Sequence, residues 1–209
     1  MTDDRDALTA ELIDAGRHVV DRGLVQASGG NLSVRLPGTD RFLVTGSGTW
    51  LDRLAPQDLV EMSVDGTRQG GADRPSVEWR LHQRTYAVRP DVEAIVHLHP
   101  QHVLLVDMLG IPIRFTTLDH QYYLGSTGWV AFLPSGSEDL AAAAADAARE
   151  HDAVVLSHHG CSALGNSVSM ALRRALNLAE AAMMTYRLHV AGDTTTDFPA
   201  EWKGHILSV

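Results

Sequence analysis

Two histidines separated by one residue, in Ile95-Val96-His97-Leu98-His99, define the chemistry open to this chain. The run from Val92 to Leu98 is apolar and rich in β-branched residues, the composition of a buried strand. Side chains at i and i+2 of a strand share a face, so both imidazoles project together from the end of an oily element. A second apolar run, Ala153 to Ser157, ends in His158-His159-Gly160, and Glu78 lies upstream. If the two strands are neighbours, their histidines meet at one edge of a sheet. Neutral imidazoles with a carboxylate suit a divalent, zinc-like ion that keeps a position open for a substrate. Eleven histidines in 209 residues also produce close pairs by chance, so the pattern needs elements that bring its parts together.

Two turns have the composition of an anion site. In Ser28-Gly29-Gly30-Asn31 and Ser47-Gly48, glycine lets the backbone approach a ligand, and its N–H groups can form a nest for phosphate. The same residues serve equally as ordinary hairpin turns, and neither stretch matches a nucleotide-binding loop. The segment Pro75-Ser76-Val77-Glu78-Trp79-Arg80-Leu81-His82 puts Ser76 at a helix N-terminus, where free N–H groups also favour an anion. Glu78 falls in the first turn, a stabilising place for any carboxylate. Near a metal, and partly desolvated, it would also serve as a base.

The elements that must position these groups follow from periodicity. Residues 6–22 place Leu8, Leu12, Ile13, Val19 and Val20 at helical spacing, with Gly23 as the stop. The first Gly-rich turn feeds an alternating strand, Leu32-Ser33-Val34-Arg35-Leu36, and Phe42-Leu43-Val44 forms a second. Ala55-Pro56-Gln57-Asp58 opens a short helix with proline in its first turn. Residues 65–75, with Gly66, Gly70, Gly71 and Pro75, form a loop. A helix is expected from Ser76 to Val88, closed by Pro90; the histidine strand follows, then a helix from Pro100 through Leu109. Residues 111–136 carry no clear period. Ser137 caps an alanine-rich helix over 138–150, a long helix runs from Ser167 to Leu188, and the tail is irregular from Gly192. Nothing divides residues 1–209 into two domains. Strands alternate with helices, yet several lie close enough for antiparallel pairing. This predicts an α/β fold, a three-layer α/β/α sandwich around a mixed, mainly antiparallel sheet.

Bulk composition narrows the function classes. With 44% hydrophobic and 21% charged residues the chain is a folded globular protein. A net charge of −9 argues against a nucleic-acid surface. No apolar run approaches the roughly 20 residues of a membrane span, so no membrane partner is expected. The acidic start, Met1-Thr2-Asp3-Asp4-Arg5-Asp6, lacks the pattern of a signal peptide, and the single Cys161 fits a reducing cytoplasm. Cys161 follows His158-His159-Gly160 directly, where a nucleophile is conceivable, but a small buried thiol has the same sequence signal.

Taken in order, these pieces resemble the class II aldolase/adducin family, and within it the fuculose-phosphate aldolase branch. The resemblance runs from about Leu8 to Tyr186 and rests on Gly30-Asn31-Leu32-Ser33-Val34-Arg35, Pro75 to His82, Val96-His97-Leu98-His99 and His158-His159-Gly160. It implies His97, His99 and His159 as ligands of Zn2+ or another divalent transition metal. Glu78 would be the catalytic acid/base, and a ligand when no substrate is bound. Ser28, Gly30, Asn31, Ser47, Gly48 and Ser76 would bind a substrate phosphate. The implied reaction is cleavage or formation of a short ketose 1-phosphate, L-fuculose 1-phosphate or a 5-deoxy-pentulose 1-phosphate, through a metal-stabilised enediolate of dihydroxyacetone phosphate. The implied assembly is a homotetramer with active sites between subunits. The lone lysine, Lys203, lies in the tail, which disfavours an imine route.

Two departures bear on this reading. Val77 stands where the fuculose-phosphate branch has a second serine, so one phosphate donor is missing. That branch also takes a tyrosine from a neighbouring subunit to protonate the aldehyde half, where Thr116 or Thr117 falls here. Tyr122 or Tyr123 would have to substitute as the acid, and Asp119 and His120 are polar enough to line the site. Related readings are a metal-dependent decarboxylase, a sugar-phosphate 4-epimerase, and an adducin-like binding module without activity. The 4-epimerases carry aspartate in place of Glu78, and a binding module has no need of the four-residue set.

Overall fold

A computed structural model describes residues 2–204 and 206. Helix α1 (Thr2–Asp21) precedes a meander of β1 (Asn31–Arg35), β2 (Arg41–Thr45), β3 (Leu59–Ser63) and β4 (Arg68–Gly71). Helix α2 (Trp79–Val88), β5 (Ala94–Leu98), α3 (Gln101–Met108), α4 (Leu118–Tyr123) and β6 (Gly128–Val130) follow. The chain ends with α5 (Glu138–Ala148), the hairpin β7 (Ala153–Leu156) and β8 (Gly160–Gly165), the long α6 (Val168–Val190) and the short α7 (Ala200–Lys203).

Among the described residues these strands form one sheet in the order β4-β3-β2-β1-β5-β8-β7-β6. Every pairing is antiparallel except β6 with β7. The sheet is therefore mixed and mainly antiparallel. Strand alternation sends Leu32, Val34, Val96 and Leu98 to one face, under Leu12 and Val19 of α1 and Ala171 and Ala175 of α6. Phe42, Val44, Ile95 and Val154 face the other way, under Leu81 and Tyr86 of α2 and Leu140 and Ala144 of α5. A third cluster joins Val103 and Val106 of α3 to Leu178 and Ala182 of α6 beside Val155 and Cys161. Each buried aliphatic side chain contributes about 1.5–3 kcal/mol, which suffices to hold both helical layers on the sheet. No described helix is long and apolar enough to cross a membrane.

Several elements differ from the sequence expectation. The helix expected from Ser76 starts at Trp79, because the residues before it are spent on the sheet. Ser76 N–H donates to Thr45 O at 2.9 Å, and Pro75 bridges to Gly46. The helix expected at Ala55 is a single 3-10 turn, Pro56–Asp58. The loop expected over 65–75 contains the edge strand β4, and residues 111–136 hold α4 and β6. Cys161 is buried on β8, where desolvation pushes its thiol up to about 12, so the nucleophile reading fails.

Candidate metal centre

Sheet register builds the site. His97 shares its face of β5 with Ile95, the face that α2 covers. Antiparallel pairing sets His97 opposite Asn31 on one side and Ser162 on the other. The β7–β8 turn then delivers His159 beside the end of β5, and Glu78 enters from the N-cap of α2. The three imidazole rings stand 5.0, 5.1 and 5.0 Å apart, centre to centre. Glu78 Oε2 lies 3.1 Å from His97 Nε2, and its Oε1 lies 2.8 Å from His159 Nε2. His97 Nε2 and His99 Nε2 are 3.0 Å apart.

All four candidate ligand atoms fall within 4.8 Å of one another. Ligands placed tetrahedrally about 2.1 Å from an ion are about 3.4 Å apart, so this donor set suits a small divalent cation. His97 Nδ1 lies 3.2 Å from Ser162 Oγ. A proton donated there leaves the Nε2 lone pair facing inward, the usual way in which a ligand histidine has its tautomer fixed. His159 Nδ1 is buried without a hydrogen-bond partner.

Backbone geometry explains the glycines beside the histidines. Gly30 has φ +77°, and a Cβ there would lie 2.6 Å from His97 O. A Cβ on Gly160 would lie 2.3 Å from Leu98 O and 2.6 Å from His99 Cδ2. Both positions let two strands close on β5 at the point where its histidines emerge. His158 takes φ +56°, a costly conformation for a residue with a Cβ. Its N–H donates to Asp107 Oδ2 at 2.8 Å, and Ser157 Oγ donates to the same oxygen at 3.0 Å. Trp129 Nε1 holds the other carboxylate oxygen at 2.8 Å. Asp107 thereby ties down the turn that aims His159 inward and turns His158 away, toward Phe132.

Burial by itself disfavours an ionised Glu78, but the neighbouring His97 and hydrogen bonds from both imidazoles more than offset this, holding its carboxyl well below the usual range. Desolvation, then repulsion from His97 and His159, brings His99 down to about 4. Burial, followed by the effect of His97, brings His82 down to about 3. These two histidines accept protons near their ordinary value of 6.5 only when the chain unfolds. Their contribution to stability is therefore complete above about pH 6.5 and is lost as pH falls toward 4 and then 3. We expect urea midpoints of the metal-stripped protein to decline from pH 7 to pH 5. Fully buried His82 adds up to about 1.4 kcal/mol per pH unit and half-buried His99 less, and the decline should be shallower in His82→Gln.

The candidate phosphate residues gather at the same end of the sheet. Asn31 opens β1 opposite His97, while Ser47 follows β2 and is tied by its N–H to Arg74 O at 3.0 Å. Ser28, Ser47 and Gly48 are exposed, and Ser76 is buried with its Oγ accepting from Glu78 N at 3.3 Å. Asn31 is already engaged: its Nδ2 donates to Glu78 Oε2 at 3.0 Å. Tyr122 and Tyr123 do not join the cluster within this chain. They pack edge to face against each other, and the Tyr123 hydroxyl accepts from Arg173 on α6 at 3.1 Å. Thr117 caps α4 and His120 is buried facing Glu180, so neither reaches the metal ligands. Ser135, which the sequence did not single out, donates to Glu78 Oε1 at 2.9 Å. Nothing in its Pro-Ser-Gly context marked it, since its partner lies on another element.

The family described as Class II Aldolase and Adducin N-terminal domain matches residues 10–186. The chain belongs to the class II aldolase and adducin family. Within it, a 5-methylthioribulose-1-phosphate/5-deoxyribulose-1-phosphate aldolase of Rhodospirillum rubrum is 35% identical over 192 residues, covering 90% of this chain and 84% of that protein. An L-fuculose phosphate aldolase of Methanocaldococcus jannaschii is 31% identical, over 84% of this chain and 93% of its own length. Among solved structures, an L-fuculose-1-phosphate aldolase of Thermus thermophilus superposes with a TM-score of 0.80 at 32% identity, covering 92% of this chain and 98% of that one. These relatives are lyases by name, and with the Glu78, His97, His99 and His159 cluster intact the chain is an enzyme of the class II aldolase type.

Proposed function

We propose that the protein is a zinc-dependent aldolase that cleaves a short ketose 1-phosphate to dihydroxyacetone phosphate and an aldehyde. The observation that carries this is the convergence of three imidazoles and one carboxylate at a single point. His97, His99 and His159 would hold the ion as neutral ligands. When bound, the ion supplies Lewis-acid stabilisation of the negative charge left as the carbon–carbon bond breaks. Glu78 would be a further ligand when no substrate is bound, and as acid/base it would exchange a proton with the carbon that becomes nucleophilic. Ser28, Gly30, Ser47, Gly48 and Ser76 would hold the phosphate through hydroxyl and backbone donors, with Asn31 lending its amide to Glu78. A proton donor to the departing aldehyde oxygen would come from a second copy of the chain, with Tyr122 or Tyr123 as candidates. That requirement supports a homotetramer with shared sites. Exposed Trp50, Leu118, Trp129 and Trp202 supply apolar surface for it.

Within the ketose 1-phosphates, a 5-deoxy-pentulose fits this chain better than a sugar with more hydroxyls. This is supported by the Rhodospirillum rubrum relative named for 5-methylthioribulose and 5-deoxyribulose 1-phosphates, which is 35% identical to this chain, against 31% for the L-fuculose phosphate aldolase of Methanocaldococcus jannaschii. The metal-loaded protein, incubated with 5-deoxyribulose 1-phosphate and with L-fuculose 1-phosphate, is expected to release dihydroxyacetone phosphate from both, faster from the first. Epimer or carbon dioxide without triose phosphate would establish 4-epimerisation or decarboxylation instead. A protein that binds no divalent ion would fit a binding module.

A further inference from the structure

The sheet face under α2 is apolar at Phe42, Val44, Val60 and Ile95, yet one line of polar side chains crosses it. On α2 the stripe is Glu78, His82 and Tyr86, four residues apart; on β1 it is Asn31 and Ser33, two apart. The two rows interleave. Asn31 lies between Glu78 and His82, and Ser33 lies between His82 and Tyr86. Ser33 Oγ is 2.7 Å from His82 Nδ1 and 2.7 Å from the Tyr86 hydroxyl. His82 Nε2 contacts Asn31 Oδ1, and Asn31 Nδ2 donates to Glu78 Oε2 at 3.0 Å. Relative exposure is 5% or less for all five residues. At the far end the Arg35 guanidinium lies 4.6 Å over the Tyr86 ring.

The direction of every proton is fixed from the Glu78 end. An ionised carboxylate only accepts, so Asn31 must turn its NH₂ toward it and its carbonyl oxygen toward His82. His82 must then carry its proton on Nε2, which leaves Nδ1 as an acceptor. The Ser33 hydroxyl donates to Nδ1, and the Tyr86 hydroxyl donates to Ser33. Burying four neutral polar side chains where apolar ones would pack costs stability unless all are satisfied, and here they are.

We propose that His82, Ser33 and Tyr86 are positioning residues that act through Asn31 to orient the Glu78 carboxylate for proton transfer. None of the three touches the candidate metal atoms or the exposed Gly/Ser turns. The proposal rests on Glu78 as the proton-transfer group, but its first test needs no reaction. The chain has three asparagines, Asn31, Asn166 and Asn177, so selective nitrogen labelling resolves three side-chain amides. In the metal-stripped protein one amide pair is expected to exchange slowly with solvent. That protection should disappear in His82→Leu, and survive in His82→Gln, whose amide can still donate to Asn31. The second test reads metal-loaded turnover. In His82→Leu, kcat should fall roughly tenfold or more with KM and bound metal unchanged, and His82→Gln should recover most of it. If His82→Leu does not fold, Ser33→Ala removes the next link and should show a smaller change of the same kind. An Asn31 amide that exchanges fast in the parent protein overturns the proposal. So does equal turnover in the Leu and Gln variants, or a loss that follows metal content. A parent with a protected amide but no aldol cleavage would instead overturn the assignment of the reaction.

Discussion

Glu78→Gln is expected to lower turnover by about 10²- to 10⁴-fold, the range that one positioned acid–base group supplies. Most of the bound metal should stay. Glutamine keeps the length of the side chain, and its carbonyl oxygen can still accept from Asn31 Nδ2, which now lies 3.0 Å from Glu78 Oε2. What it loses is the lone-pair basicity that takes a proton from carbon. The two oxygens of Glu78 differ in their surroundings. Oε2 faces Asn31 and His97, while Oε1 faces His159 and Ser135. A carboxylate held at both ends does not need to reorganise before it acts, which is why its removal should affect kcat more than KM. Glu78→Asp makes the complementary point. It keeps the charge but withdraws it by one methylene, so a loss nearly as large would show that geometry, beyond basicity, is needed. Metal analysis alongside a triose-phosphate assay checks both variants. Turnover within a few-fold of the parent in Glu78→Gln would remove Glu78 from the proton path.

Much of this site was legible because its chemistry lies in local patterns. The i, i+2 spacing of His97 and His99 required only that β5 be a strand, and its β-branched run made it one. The apolar run before His158-His159-Gly160 marked a strand end and placed a histidine pair there, and the family resemblance selected His159 from the two. The sheet's polar and small-residue strands were harder. β4 reads Arg68-Gln69-Gly70-Gly71, a solvated edge with no apolar alternation to betray it. β8 is buried along its whole length but built from Gly160, Cys161, Ser162 and Ala163, small residues chosen by the close approach of β5. β3 is buried on both faces, so Leu59 to Ser63 shows no period of two. The groups that position the ligands escaped for a different reason. Asp107, Ser135 and Ser162 reach the site across tertiary contacts, and single polar residues on remote elements leave no spacing to read. The interleaved Asn31, Ser33, His82 and Tyr86 lay partly inside the quoted motifs, but their partnership depends on α2 crossing β1.

His97→Ala should have the largest effect on metal binding. Its ring is fully buried at the centre of the cluster, contacting Glu78 Oε2 at 3.1 Å, His99 Nε2 at 3.0 Å and Ser162 Oγ at 3.2 Å. Removing it deletes one ligand and also takes away the partner of Ser162 Oγ inside the protein, while Glu78 Oε2 keeps Asn31 Nδ2. A buried group left unsatisfied costs about 1–3 kcal/mol, so the metal-free variant should already unfold at lower urea than the parent. The decisive comparison is the gain on adding zinc. A ligand present at 100 times its Kd stabilises the native state by about 2.7 kcal/mol, and that increment should be evident in the parent and absent in His97→Ala. His99→Ala is the informative control. His99 is half-buried, so its loss should weaken zinc binding with less damage to the metal-free fold. The order of effects therefore separates a ligand set from a merely structural histidine core. Loss of His97 in a structural core would lower stability equally with and without zinc. If zinc raises the stability of His97→Ala as much as it raises that of the parent, the ion binds elsewhere and the cluster is not the metal centre.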